Sequence, residues 1–152
     1  MLSKLNQFLT AIIPANEPAA DTQHTLKLAT AVLLIEVMRA DAESSEEELA
    51  TVLRILKQRF QLSDSEVQQL SALGQHTAQH ATDLHQFTSL LNRKLNPAEK
   101  IRIVEYMWQV AYADGHLSAH ENHLMRRMTD LLHIAQADYI AAKMRAKQTM
   151  LN

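Results

Sequence analysis

The amino-acid sequence predicts an all-α fold, a compact and pseudo-symmetric bundle of seven to eight helices. Three observations predict it. The 152 residues include only two Gly and three Pro, and helix-favouring residues such as Ala, Leu, Gln and Glu are abundant. Apolar residues recur at the three- and four-residue spacing of amphipathic helices. Finally, one phrase that joins two helical patterns occurs twice, and its second copy lies 73 residues after the first.

The first quarter of the chain predicts a short helix and a long one. Residues 2–13 are predicted to be helical up to Pro14 and Pro18, so residues 1–20 form an N-terminal helix and linker. Asp21 or Thr22 offers an N-cap for a helix over residues 21–40. One face of that helix is apolar: Leu26, Ala29, Leu33, Val37 and Ala40.

Serine, aspartate and asparagine mark the starts of the following helices. Ser44 or Ser45 is expected to begin a strongly amphipathic helix over residues 44–60. Ser63 and Glu66 form the sequence pattern of a capping box, in which each side chain accepts from the other residue's backbone N–H. The helix that follows continues or breaks near Gly74.

Three or four further helices complete the bundle. Thr82 or Asp83 is expected to begin one, and Asn96 followed by Pro97 begins the next, since Pro suits the first helical position. Ser118 begins a helix over residues 118–133. The last helix, residues 135–149, is expected to turn Ile140, Ala141 and Met144 inward and Lys143, Arg145 and Lys147 outward.

The repeated phrase places acidic residues at two helix–loop–helix corners. Each copy has Ala-Asp, a short loop, and Ser-x-x-Glu, and Glu48 and Glu121 lie seven positions after Asp41 and Asp114 respectively. Helix capping accounts for most of the phrase, with Ser44 and Glu47 as an alternative register at the first corner. Because each helix pair needs the other to cover its apolar face, residues 21–152 are predicted to fold as a single domain.

Capping requires only one acidic residue per corner, and the additional acidic residues predict a candidate metal site. If the repeats pack about a pseudo-twofold axis, four carboxylates can face one another: Asp41, Glu48, Asp114 and Glu121. Carboxylate oxygens suit hard divalent cations such as Ca²⁺ or Mg²⁺. The phrase is not an EF-hand, because Met125 occupies the twelfth position, where that loop requires Glu.

The second corner also carries histidines, which suggest a different chemistry. His116, His120 and His123 lie close in sequence, and the last two are one residue short of the His-Glu-x-x-His spacing of zinc proteases. The alternative function is therefore a metal-dependent hydrolase that uses Asp114, His116 and His120. The first corner lacks matching histidines, which favours ordinary surface residues.

Composition bounds the remaining classes of function. A formal charge of −2 gives no basic surface for nucleic acid, and the absence of Cys excludes thiolate chemistry. The apolar stretches are too short or too polar for a membrane span or a signal peptide, so a cytoplasmic protein is expected. With no nucleophile–base arrangement, we expect no enzyme but a binding protein, a monomer or weak homodimer with a protein partner.

The two corners resemble the paired motifs of the TerB-like family, which is named for tellurite resistance. The resemblance rests on Ala40-Asp41-Ala42-Glu43-x-Ser45-x-x-Glu48 and Ala113-Asp114-Gly115-His116-Leu117-Ser118-x-x-Glu121. It continues through residues 84–88, 99–100, 108–115 and 143–146 and covers about residues 22–147. The small, stand-alone bacterial branch of the family is the most similar.

The resemblance implies a helical bundle without catalytic activity, and an acidic face that binds a divalent cation or a protein partner. Carried over residue by residue, that face consists of Asp41, Glu48, Asp114 and Glu121. Ala42 replaces the Gly that the family has at the first corner. The family name implies a stress-response role related to tellurite resistance, although a chain without Cys offers no thiol to reduce tellurite.

Overall fold

The computed structural model describes residues 19–41 and 46–151, and within them every element of regular structure is an α-helix. The helix predicted for residues 2–13 and its stop at Pro14 and Pro18 lie outside the described residues. The described helices are α1 (Ala19–Ala40), α2 (Glu46–Phe60), α3 (Asp64–His80), α4 (His85–Lys94), α5 (Pro97–Ala111), α6 (Ala119–Leu131) and α7 (Gln136–Leu151). The predicted all-α class is confirmed.

Helix α1 is the centre of the bundle. It contacts five other helices, α2 to α6. The five residues of its predicted apolar face are buried or half-buried, and burial extends further, since every residue from Leu28 to Ile35 is buried, including Thr30. A helix surrounded by others buries more than one face. Thr30 fits this position because its hydroxyl donates to the Leu26 carbonyl at 2.8 Å.

Capping boxes set the helix starts that the sequence predicted. Ser63 Oγ accepts from Glu66 N–H at 3.1 Å, and Glu66 Oε1 accepts from Ser63 N–H at 2.9 Å. Asn96 and Glu99 make the same reciprocal pair, and Pro97 follows the cap as expected. At α4 the N-cap is Leu84, while the Asp83 carboxylate accepts from His85 N–H at 2.8 Å.

Helix α3 continues through Gly74, where the sequence left a break open. A Cβ at Gly74 would lie 2.7 Å from Ile35 Cδ1 and 3.2 Å from Ala31 Cβ. The missing side chain therefore allows α3 to approach α1 closely. Packing against the central helix offsets the lower helix propensity of glycine.

The second helices of the two repeats, α2 and α6, end in the same way. Pairs α1–α2 and α5–α6 carry the two copies, and both α2 and α6 are followed by a residue in the left-handed region, Gln61 with φ 54° and His133 with φ 57°. Leu62 N–H then donates to the Lys57 carbonyl, and Ile134 N–H to that of Thr129, each at 3.0 Å. These equal closing bonds show that the two repeats share a local conformation.

The face of α7 differs from the prediction. Ile140 and Met144, expected inward, are 47% and 50% exposed, whereas Ala142 and Ala146 are fully buried. The small alanines allow α7 to lie close against α5. Arg145 and Lys147 are exposed, as predicted, whereas Lys143 is half-buried. Two cations of α7 also contact α5: Lys143 Nζ lies 4.9 Å from the centre of the Trp108 ring, and Arg145 Nε donates to the buried Glu105 carboxylate.

Candidate metal centre

The first corner supplies two buried carboxylates. Asp41 directly follows α1, and its N–H donates to the Met38 carbonyl at 3.3 Å, which continues the last turn. Glu48 lies in the first turn of α2 and is fully buried, whereas Glu46 and Glu47 beside it are exposed. Glu48, not Glu47, therefore faces the bundle. The predicted caps Ser44 and Ser45 lie outside the described residues.

The second corner is built by local hydrogen bonds. Gly115 has φ 78°, a conformation that side chains disfavour, and its N–H donates to the Tyr112 carbonyl at 2.9 Å. The Asp114 carboxylate accepts from His116 N–H at 3.0 Å, which tightens the loop. Ser118 and Glu121 then form the predicted capping box, with Glu121 Oε1 accepting from Ser118 N–H at 3.0 Å.

The fold brings the two corners together. Asp41, Glu48 and Asp114 each present a carboxylate oxygen, and these three oxygens lie within 4.8 Å of one another. Two of the side chains are buried and Asp114 is exposed, so the cluster is accessible from one side. The structure thus unites three of the four predicted residues across both repeats.

Glu121 is the fourth; it is not one of the three clustered residues, but the charges of Asp41 and Asp114 act on its carboxyl group. Burial raises the pKa of its carboxyl, the hydrogen bonds with Ser118 lower it, and the negative charges of Asp41 and Asp114 raise it again. The side chain is fully buried, and its Oε2 atom has no hydrogen-bond partner among the described residues. A buried oxygen without a partner costs free energy, so this carboxylate favours a proton or a cation nearby.

The three oxygens are close enough to share one cation. Two oxygens that share one cation are separated by at most twice the metal–oxygen distance, about 4.6–5.2 Å for Ca²⁺ and about 4.0–4.2 Å for Mg²⁺. The three oxygens lie within 4.8 Å of one another, so small movements of the carboxylates would let all three bind one divalent cation.

In the described part of the chain, the histidines of the second corner do not form the metal site that the alternative hydrolase function requires. His116, His120 and His123 are all exposed. Across residues 19–41 and 46–151, the one group of three or more His, Asp or Glu side chains close enough to share an ion is the carboxylate cluster. The structure does not support a hydrolase that uses Asp114, His116 and His120.

Comparison with known proteins identifies the family. Residues 27–144 match the sequence profile described as Tellurite resistance protein TerB. The chain belongs to the TerB family. This match agrees with the resemblance drawn from the two corners, and it supports a domain related to tellurite resistance. Searches of curated proteins and of solved structures found no match.

The TerB match spans both acidic corners, from within α1 to within α7. The four carboxylates are therefore part of the region that defines this chain as a TerB protein. No described helix combines the length and the apolar composition that crossing a membrane requires. The duplicated phrase is what led the sequence analysis to predict these four residues as one site, and three of them lie together in the structure. It did not reveal that Asp41, Glu48 and Glu121 are buried while Asp114 is exposed.

Proposed function

We propose that this TerB-family chain is a non-enzymatic binding module that holds a divalent cation between its two repeats. The observation that carries the proposal is the cluster of Asp41, Glu48 and Asp114, whose oxygens lie within 4.8 Å of one another. Glu121, with a buried oxygen that lacks a partner among the described residues, supplies further negative charge. Carboxylate oxygens alone suit a hard divalent cation such as Ca²⁺ or Mg²⁺.

Such a cation would couple the two halves of the bundle. Asp41 and Glu48 belong to the first corner, whereas Asp114 and Glu121 belong to the second. Without a cation these negative charges repel one another, and burial strengthens the repulsion. A bound ion converts that repulsion into attraction between the repeats, so cation binding and bundle stability are linked.

The proposed biological role is a cytoplasmic stress response in bacteria, in which the loaded module binds a protein partner as a monomer or weak homodimer. The family supports the connection with tellurite resistance, and the absence of Cys argues against direct thiol chemistry on tellurite. Exposed Glu46 and Glu47 at the start of α2 lie beside the site and favour a basic partner surface.

Calorimetric titration of metal-stripped protein with CaCl₂, MgCl₂, MnCl₂ and ZnCl₂ tests the ionic part of this proposal. We expect a hard cation, calcium or magnesium, to bind more tightly than millimolar. Asp114→Asn should weaken calcium binding about tenfold or more, since charge count sets the affinity of such sites. Asparagine keeps the oxygen that accepts from His116, so the loop is preserved.

A matched control removes an equal charge away from the site. Asp138 is exposed and lies in the first turn of α7. Asp138→Asn should leave calcium affinity unchanged. Affinities no tighter than millimolar for all four cations would refute the ionic proposal, and a pull-down would then address the partner role alone.

A further inference from the structure

A cavity lies at the end of the bundle away from the acidic corners. It has a volume of about 320 Å³ and opens where α1 and α5 begin, whereas both helices end at the corners that hold Asp41 and Asp114. Its size is at the lower limit of small-molecule sites. The lining comes from the first half of α1, the end of α2 and the start of α5: Gln23, Leu26, Lys27, Thr30, Arg59, Phe60, Gln61, Leu95, Glu99 and Ile103.

The second repeat has a lysine at the position of Lys27, and this lysine has a hydrogen-bond partner. With the corner aspartates aligned, Lys27 on α1 is equivalent to Lys100 on α5, and both are half-buried. Lys100 Nζ donates to Asn92 Oδ1 at 3.2 Å. The same Asn92 donates from Nδ2 to the Leu131 carbonyl at 2.9 Å, near the end of α6. One amide therefore satisfies the lysine and the helix end together.

In the first repeat a cavity lies beside Lys27, the equivalent of Lys100. Aligning the left-handed residues Gln61 and His133 shifts the register of the repeats by one residue and makes Arg59 the equivalent of Leu131. Both Arg59 and Lys27 line the cavity. Among the described residues neither cation forms an ion pair, and the Arg59 guanidinium lies over the Phe60 ring at 5.5 Å.

We propose that this cavity binds a small molecule of the amino-acid class. The carboxylate of the ligand is held by Lys27 and Arg59. The ammonium group of the ligand donates to the C-terminal end of α2, as the Asn92 side-chain amide donates to the end of α6. A helix C-terminus carries partial negative charge and favours a cationic donor. The Glu99 carboxylate adds negative charge to the lining of the cavity. The hydrogen bond from Asn96 N–H to its Oε1 atom fixes it in place.

The remaining lining selects an apolar side chain on the ligand. Leu26, Phe60 and Leu95 are half-buried, and Ile103 is buried. These four side chains contribute apolar surface beside the two cations. A zwitterion with a branched aliphatic side chain matches both parts of the cavity, because each of its groups has a chemical complement there.

Three compounds with the same aliphatic body test this assignment by NMR titration of the full chain. L-leucine carries both charges, 4-methylpentanoate lacks the ammonium, and 3-methylbutylamine lacks the carboxylate. We expect saturable shifts of the Lys27, Arg59 and Gln61 amides with L-leucine and weaker binding of 4-methylpentanoate. The amine is expected not to bind.

The pseudo-symmetry provides a matched pair of variants. Lys27→Met should weaken L-leucine binding about tenfold or more, because it removes a charged hydrogen-bond donor. Lys100→Met, its equivalent in the second repeat, should leave binding unchanged. Arg59→Met changes an exposed side chain and provides a second test if Lys27→Met does not fold.

Several results would overturn the proposal. These are no saturable shift with any of the three compounds, binding of the amine as tight as that of L-leucine, or unchanged L-leucine affinity in Lys27→Met or in Arg59→Met. Equal affinity for L-leucine and 4-methylpentanoate would contradict the donor contact with α2. None of these outcomes depends on the cation site, which lies at the other end of the bundle.

Discussion

Replacing Glu121 by Gln isolates the cost of the buried negative charge at the metal centre. Gln keeps the Oε1 acceptor for Ser118 N–H, and the capping box tolerates Gln as well as Glu. The change removes a charge that lies against Asp41 and Asp114 and gives the orphaned Oε2 position a donor. We therefore expect Glu121→Gln to stabilise the metal-free protein at neutral pH.

The magnitude follows from the burial of this side chain. A buried polar atom without a partner costs about 1–3 kcal/mol, and the substitution also removes a charge that Asp41 and Asp114 repel. The free energy of unfolding should therefore rise by about 1–3 kcal/mol. For a chain of this size, a gain of about 2 kcal/mol corresponds to a rise in Tm of about 4–8 °C.

The pH dependence has a definite sign. Below the ordinary pKa of 4.5 the carboxyl is protonated in both folded and unfolded chains, so no penalty exists there. As the pH rises above 4.5, the unfolded chain releases the proton first, and stability falls until the pH passes the raised folded pKa. The advantage of Glu121→Gln should therefore be absent in acid and appear as the pH rises.

Glu66 provides a matched control, since it occupies the same capping-box position at an exposed helix start. Hydrogen bonds with Ser63 lower the pKa of Glu66, so its ionised form stabilises the fold above pH 4.5 and the benefit is lost in acid. Glu66→Gln should consequently reduce Tm at neutral pH, the opposite sign. Thermal unfolding in a chelator measures both, and a Glu121→Gln variant no more stable than wild type would refute the reasoning.

Three further changes test the packing of the bundle. Gly74→Ala should lower the free energy of unfolding in urea by about 1–3 kcal/mol, because the new Cβ meets Ile35 Cδ1 at 2.7 Å. Asn96→Ala should cost about 1 kcal/mol by removing the side-chain cap of α5. Ala146→Leu should lower Tm because Ala146 is fully buried, whereas Ala141→Leu on the exposed face should not. Equal Tm values for the last two would contradict the orientation of α7.

Local signals explain why most helix boundaries could be predicted from sequence. Side-chain oxygens of Ser63, Asn96 and Ser118 accept from the backbone three residues later, an interaction that depends only on neighbouring residues. The two corners were predictable because the same sequence phrase occurs at both. The sequence prediction that Asp41, Glu48 and Asp114 meet assumed that the repeats pack about an axis, and in the structure their carboxylate oxygens lie within 4.8 Å of one another.

Features set by packing between helices were not predictable in the same way. The inward face of α7 depends on which side chains fit α5, and alanine carries too weak an apolar signal to mark Ala142 and Ala146 as buried. The cavity beside Lys27 depends on how α1, α2 and α5 pack at one end of the bundle. Neither feature leaves a periodic trace in the sequence.

The most direct test of a cation held between the repeats is the dependence of Tm on calcium concentration. At a free concentration of 100 times Kd, binding to the folded state adds about 2.7 kcal/mol. A chain of this size should then gain about 5–11 °C in Tm, and Asp114→Asn should lose most of that gain. A wild-type Tm that is unchanged by calcium and equally by magnesium, manganese and zinc would contradict the account.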